Sequence, residues 1–192
     1  MTAEASTVEE SSTVDRIVDA VLAVLARDGM AGVSMRAVAR EAEVAVGLAH
    51  YHFDSKTALV AAALQRVGEA DVELVSPADG LSAPDQLREH LERAFDPSFL
   101  APTYLSLRLQ LWSLAGVDPQ FAAINRAAQQ RYLNGLSALV GAVRPDLGRD
   151  EVARRAADIL IVQNGVWLTA VLVPDDEAVA RAIARCEQIT FD

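Results

Sequence analysis

Two short stretches with helical apolar spacing, "MRAVAREA" at 35–42 and "LAHYHF" at 48–53, are separated by so few residues that they have to pack across a tight turn. The intervening "EVAVG" is too short to join distant elements. Upstream, apolar residues recur at Val14, Ile17, Val18, Val21, Val24 and Leu25, the spacing of an amphipathic helix closed by Gly29. Ser34 stands where an N-cap belongs ahead of the second helix. "DSK" then supplies Asp54 or Ser55 as a cap for a long helix from about Lys56 to near Leu74. This order predicts a three-helix helix-turn-helix module over residues 13–60, preceded by a polar, aperiodic segment, residues 1–12, expected to be a disordered arm.

The rest of the chain is also helical. "SPADGLSAPD" at 76–85 is the clearest linker, and helices are expected near 84–95, 98–116, 118–143, 150–173 and 175–190. No repeat, phosphate-binding glycine loop or alternating strand pattern occurs. An apolar fraction of 52%, drawn mainly from Ala, Val and Leu, agrees with an all-α fold in which residues 61–192 form a larger helical domain. "ILIVQNGVWLTAVLV" at 159–173 is shorter than the ~18 residues that span a bilayer, so no membrane partner is expected. The lone Cys186 allows no internal disulfide, and "MTAEASTVEESS" does not read as a secretion signal. Both suit a reducing cytoplasm.

A net charge of −10 argues against nonspecific attachment to polyanions, so any nucleic-acid site has to be local. "VGLAHYHFDSK" at 46–56 is the local exception: it gathers two of the three histidines, one of three tyrosines and the only lysine. A metal site is disfavoured, because His50 and His52 point about 200° apart on a helix and have no partner at ligand spacing. Catalysis is disfavoured too, since no nucleophile with a base and an orienting group is recognisable. Contact with phosphates and bases fits better. A short helix after a tight turn can enter the major groove, where Tyr51, His50, His52 and Ser34 can donate to phosphate oxygens. Lys56, in the first turn of its helix, adds its charge to amides that already attract anions. Phe53 reads instead as packing. Arg36 is either a base reader or a solvated helix residue.

These residues resemble the N-terminal DNA-binding module of TetR-family transcriptional regulators. The resemblance runs from residue 13 to residue 64, from "STVDRIVDAVLAVLARDG" through "HYHF" to the lysine after a two-residue bend. It implies that Ser34 caps helix two and touches phosphate, that Arg36 reads a base, and that Gly47 and Leu48 face the groove. It further implies that His50, Tyr51 and His52 contact backbone and bases, and that Lys56 binds phosphate. Ala45, Val46 and Leu48 are candidates for thymine methyl contacts. The chain departs from the family pattern in and after the turn, where Glu43, Ala45 and Val46 replace the usual Gly, Ser and Lys, and Ala49 replaces an anchoring Leu. Glu43 gives up easy left-handed geometry and Ala45 a capping hydroxyl. With five basic and six acidic side chains over 13–60, affinity is expected to depend on geometry more than on bulk charge.

Residues 98–143 and "NGVWLTAVL" are similar to the C-terminal domain of the BetI-like branch, which implies ligand sensing. Tyr104, Arg108 and Trp112 lie four apart on one face, and Gln163, Asn164 and Trp167 place polar groups in an apolar wall; these six are the candidate effector pocket. An ordinary core would use the same groups. His90 reads as an exposed helix residue. The stripes Val152, Ala156, Ile159, Leu160, Val166, Trp167, Ala170, Val171 and Val179, Ile183, Cys186, Ile189 either join a homodimer interface within 150–190 or are buried inside one chain.

The expectation is therefore a homodimeric regulator, a repressor with no enzymatic step and no cofactor, bound to a palindromic double-stranded operator and released by a small molecule whose identity stays open. The alternatives are a helical interaction module that has lost DNA affinity, favoured by the charge of −10 with Glu43, Ala45 and Val46, and a small helical enzyme or carrier.

Overall fold

A computed structural model describes residues 2–77, 80–173, 175 and 177–192. Its described residues form α-helices joined by turns and loops: α1 (Thr2–Gly32), α2 (Met35–Glu41), α3 (Val46–His52), α4 (Lys56–Leu74), α5 (Ala83–Ala94), α6 (Pro102–Leu114), α7 (Pro119–Val143), α8 (Arg149–Leu172) and α9 (Ala178–Phe191). None of them is long and apolar enough to cross a membrane. The segment expected as an arm continues α1 back to Thr2, in keeping with the helix propensity of its alanines and glutamates. Gly29, expected to close the first helix, instead forms a kink within α1, at φ 65° and ψ −171°. α6 starts later than expected, at Pro102, whose missing N–H suits a first helical position.

The chain forms two compact units. The first comprises Met1–Val67 with Leu107–Asn125, and so takes in more chain than the 13–60 module; the second comprises Gly68–Ser106 with Arg126–Asp192. The core of the first joins Ile17, Val21, Val24 and Leu25 of α1 to Val38 of α2 and to Leu59, Val60, Ala63 and Leu64 of α4. Leu107, Leu111 and Leu114 from α6 and Phe121 from α7 complete it. Each helix contributes one apolar stripe, and burial of these stripes, at about 1.5–3 kcal/mol per large side chain, is what holds the short α2 in place.

The second unit packs Leu87, Leu91 and Ala94 of α5 with Tyr132, Leu136 and Val140 of α7, Ala156 and Ile159 of α8, and Cys186 of α9. Gly135 of α7 allows close approach: a Cβ there would stand 2.4 Å from a methyl of Val75. His90, expected to be exposed, is buried in this core. Its Nδ1–H donates to Leu74 O at 2.9 Å, its Nε2 accepts from the Gln163 amide at 2.9 Å, and Tyr132 OH donates to Gln163 Oε1 at 2.8 Å. Loss of water pushes the imidazole down to about 4, aided by the nearby Arg93 charge and opposed by the Leu74 bond.

Most of the expected α8 and α9 stripes settle inside one chain, but Val171 is exposed. Ala156, Ile159, Val166, Trp167, Ala182 and Cys186 are buried, and Val152, Leu160, Val179, Ile183 and Ile189 pack against them. A different α8 stripe, Ile161, Leu168 and Leu172, is exposed, at 68% and 67% for its first and last members.

Candidate nucleic-acid interface

α2 opens at Ser34, whose extended backbone (φ −151°, ψ 157°) lets Oγ accept from the Ala37 N–H at 3.2 Å. The helix closes with Val44 N–H donating to Ala39 O at 2.9 Å and Glu43 N–H to Arg40 O at 3.3 Å, the paired bonds of a Schellman end. Such an end needs a left-handed residue, and Glu43 supplies it at φ 54°. A side chain there costs about 1–2 kcal/mol relative to glycine.

α3 has only seven residues, and its N-cap Ala45 makes no side-chain bond. Propensity alone would not hold it. Ala49, fully buried, seats it on the core, and Phe53 is buried at its C-cap, where its N–H donates to Ala49 O at 2.9 Å. The other side faces solvent: Val46, Gly47, Leu48, His50 and Tyr51 are exposed, Tyr51 at 73%, while His52 is half-buried with its ring edge-on to Tyr51 at 5.0 Å. Among the described residues no three His, Cys, Asp or Glu side chains cluster as metal ligands.

α4 is capped by Ser55, whose Oγ accepts from Ala58 N–H at 3.1 Å. Lys56 is exposed, and one of its three donors reaches Met30 O at 2.5 Å, the carbonyl just after the Gly29 kink. The other cations divide into two groups. Arg27 is paired with Asp28 and Glu41, Arg66 with Asp15 and Asp19, and Arg16 donates to Ala42 O. The side chains of Arg36 and Arg40, one turn apart on the exposed side of α2, form no hydrogen bond or ion pair among the described residues. Sequence reasoning passed over Arg40, although its spacing of four from Arg36 was legible.

The six effector candidates are divided between the units. In the first, Arg108 is buried with its guanidinium 5.4 Å from the centre of the Trp112 ring. In the second, Tyr104 meets Phe99 edge-on at 5.3 Å, Trp167 Nε1 donates to Ala94 O at 3.1 Å, and both ends of the Gln163 amide are engaged by His90 and Tyr132. Asn164 differs, for its Oδ1 is buried and accepts no hydrogen bond.

A short α3 seated by a buried alanine, with its aromatic and polar residues turned outward, has the geometry of a recognition helix. The sequence agrees. A family model for bacterial regulatory proteins of the tetR family matches residues 17–63, and one for the C-terminal domain of BetI-type transcriptional repressors matches residues 83–190. The chain belongs to the TetR family. HTH-type transcriptional regulator BetI of Stenotrophomonas maltophilia (strain R551-3) is 26% identical over 162 residues, covering 83% of this chain and 81% of the relative. A solved transcriptional regulator from Pseudomonas aeruginosa PAO1 superposes with a TM-score of 0.77 at 25% identity, over 92% of this chain and 87% of that one. A TetR-family member from Streptomyces coelicolor A3 does so with a TM-score of 0.69 at 27% identity, over 93% and 98%. As a TetR-family chain with a BetI-like C-terminal domain, the protein is a DNA-binding transcriptional regulator of the helix-turn-helix kind.

Proposed function

We propose that the protein is a homodimeric repressor, without an enzymatic step, that occludes a palindromic operator and is released by a small molecule. The outward side of α3, with Ala49 buried beneath it, carries this reading. Ser34, Tyr51, His52 and Lys56 contact phosphates, Arg36 reads a base, and Ala45, Val46, Gly47, Leu48 and His50 line the groove-facing side. Dimerisation places two such helices about one DNA turn, ~34 Å, apart. The exposed α8 stripe of Ile161, Leu168 and Leu172 supports a partner surface within 150–190.

The effector acts from the second unit, where the unbonded Asn164 Oδ1 is a polar atom with capacity to orient a ligand. A ligand that prefers the DNA-free form by ~100-fold supplies roughly 2.7 kcal/mol of coupling, enough to empty a moderately occupied operator. The reading is tested by selecting duplexes from random DNA with the purified protein and measuring mobility shifts. Tyr51→Phe and Lys56→Ala should weaken binding to all duplexes, and Arg36→Ala should relax base preference. A selection that enriches no palindrome, or three variants with wild-type affinity, would refute it.

A further inference from the structure

We propose that Arg16 of α1 is a positioning residue for α3, a clamp on the turn that sets the recognition helix at its working angle. The inference rests on the DNA-binding reading and adds a residue outside the groove-facing set. Arg16 Nη2 donates to Ala42 O at 2.6 Å and reaches Glu43 O at 3.4 Å, across 26 residues or more of chain. Both carbonyls lie at the C-terminal end of α2, where acceptors lack helical partners and a cation is favoured by the dipole.

The turn depends on outside support. Glu43 holds the left-handed position without glycine's freedom, and Ala45 provides no cap for the helix that follows. Ala42 and Glu43 therefore connect a well-ended α2 to an α3 whose own start is weakly specified. Arg16 fixes that connection from a third helix.

Its neighbours leave it free to do so. Arg16 lines a shallow cleft with Asp19, Glu41 and Glu43, which could each have drawn its guanidinium into an ion pair. Asp19 is held by Arg66 and Glu41 by Arg27, and Arg16 meets Glu43 at its backbone carbonyl and not at its carboxylate. Arg16 is left with the backbone carbonyls, so its bonds define the path of the chain instead of neutralising a side chain.

The test uses the full-length protein and a fluorescein-labelled duplex that the wild type selects from a random-sequence pool, with anisotropy titrations well below the melting temperature over a salt series. Arg16→Ala should bind roughly 10- to 100-fold more weakly, as expected for a lost charged hydrogen bond that positions the reader. The line of log affinity against log salt should stay parallel to that of the wild type. Adding Glu43→Gly, which relaxes the turn, should restore most of the loss, and Arg16→Lys, which keeps the charge without the fork, should fall between. Arg16→Gln with the same circular dichroism as the wild type serves as the folded control. Unchanged affinity in Arg16→Ala and Arg16→Gln would overturn the proposal, even with a lower melting point, because Arg16 would then be merely structural. A slope shallower by ~0.9 per lost contact would overturn it in favour of a direct phosphate contact, and a loss that Glu43→Gly leaves in place would show that the turn is not the route. If the wild type selects no duplex, the DNA-binding reading itself fails; selection without an Arg16 effect defeats only the clamp.

Discussion

Acidification should weaken the second unit through one side chain, His90. In the folded chain its imidazole is enclosed, donates from Nδ1 to Leu74 O, accepts at Nε2 from Gln163, and is held down to about 4. In the unfolded chain it titrates near 6.5. Between those values the unfolded state binds a proton that the folded state refuses, so stability rises with pH and is lost as pH falls from about 6.5 toward 4. With these endpoints the loss between about pH 7.5 and about pH 5 is about 2 kcal/mol, an order-of-magnitude value for one buried group.

The matching variant is His90→Gln, which keeps a donor and an acceptor but does not titrate. Urea unfolding at both pH values and a fixed protein concentration, followed by Trp fluorescence, gives the change for each protein. Other groups contribute equally to both, including the Glu151 carboxylate, which its bonds to Arg154 and Arg155 hold down to about 2. The wild type should therefore lose about 2 kcal/mol more than the variant. Parallel losses would mean that folded His90 protonates as readily as a free imidazole, and the account of the buried network would be wrong.

Gly135→Ala should destabilise by roughly 1–2 kcal/mol, as crowding against Val75 outweighs the gain in helix propensity; Val75→Ala in the same chain should recover part of it in thermal melts. Ile161→Glu with Leu172→Glu should leave helical content unchanged and shift sedimentation from dimer to monomer if the exposed α8 stripe is the partner surface. A variant that sediments like the wild type would remove that stripe from the interface. Ser34→Ala should cost about 1 kcal/mol by removing the α2 cap, and should weaken operator binding beyond that if the hydroxyl also meets phosphate.

Helical periodicity carried most of the secondary structure. α4 runs from Lys56 to Leu74 as its caps and spacing indicated, and α2 falls where the punctuation placed it, while α3 begins at Val46, two residues inside the expected turn, and ends before Phe53. The need for left-handed geometry at Glu43 was legible only through the family resemblance, in which glycine usually stands at that position. His90 was misread as exposed although Leu87, His90, Leu91 and Ala94 share the spacing of one buried face; a titratable side chain hid a core position. α8 posed a different difficulty. It is apolar on more than one side, so spacing could not decide whether Ile159 and Val166 or Ile161 and Leu168 would face inward. Nor could periodicity reveal that Arg16 would bond the end of α2, or that residues 107–125 would join the first unit, because both depend on contacts between distant parts of the chain.

That last arrangement bears on how the molecule comes into being. A transcript cut short between α4 and α6 would encode every groove-facing side chain, yet its product would lack the wall formed by Leu107, Leu111, Leu114 and Phe121. On the ribosome, at ~5–20 residues per second, the amino-terminal reader waits several seconds after its own helices emerge before that wall arrives. Until then it has the letters of its target in hand and no finished body from which to press them into DNA.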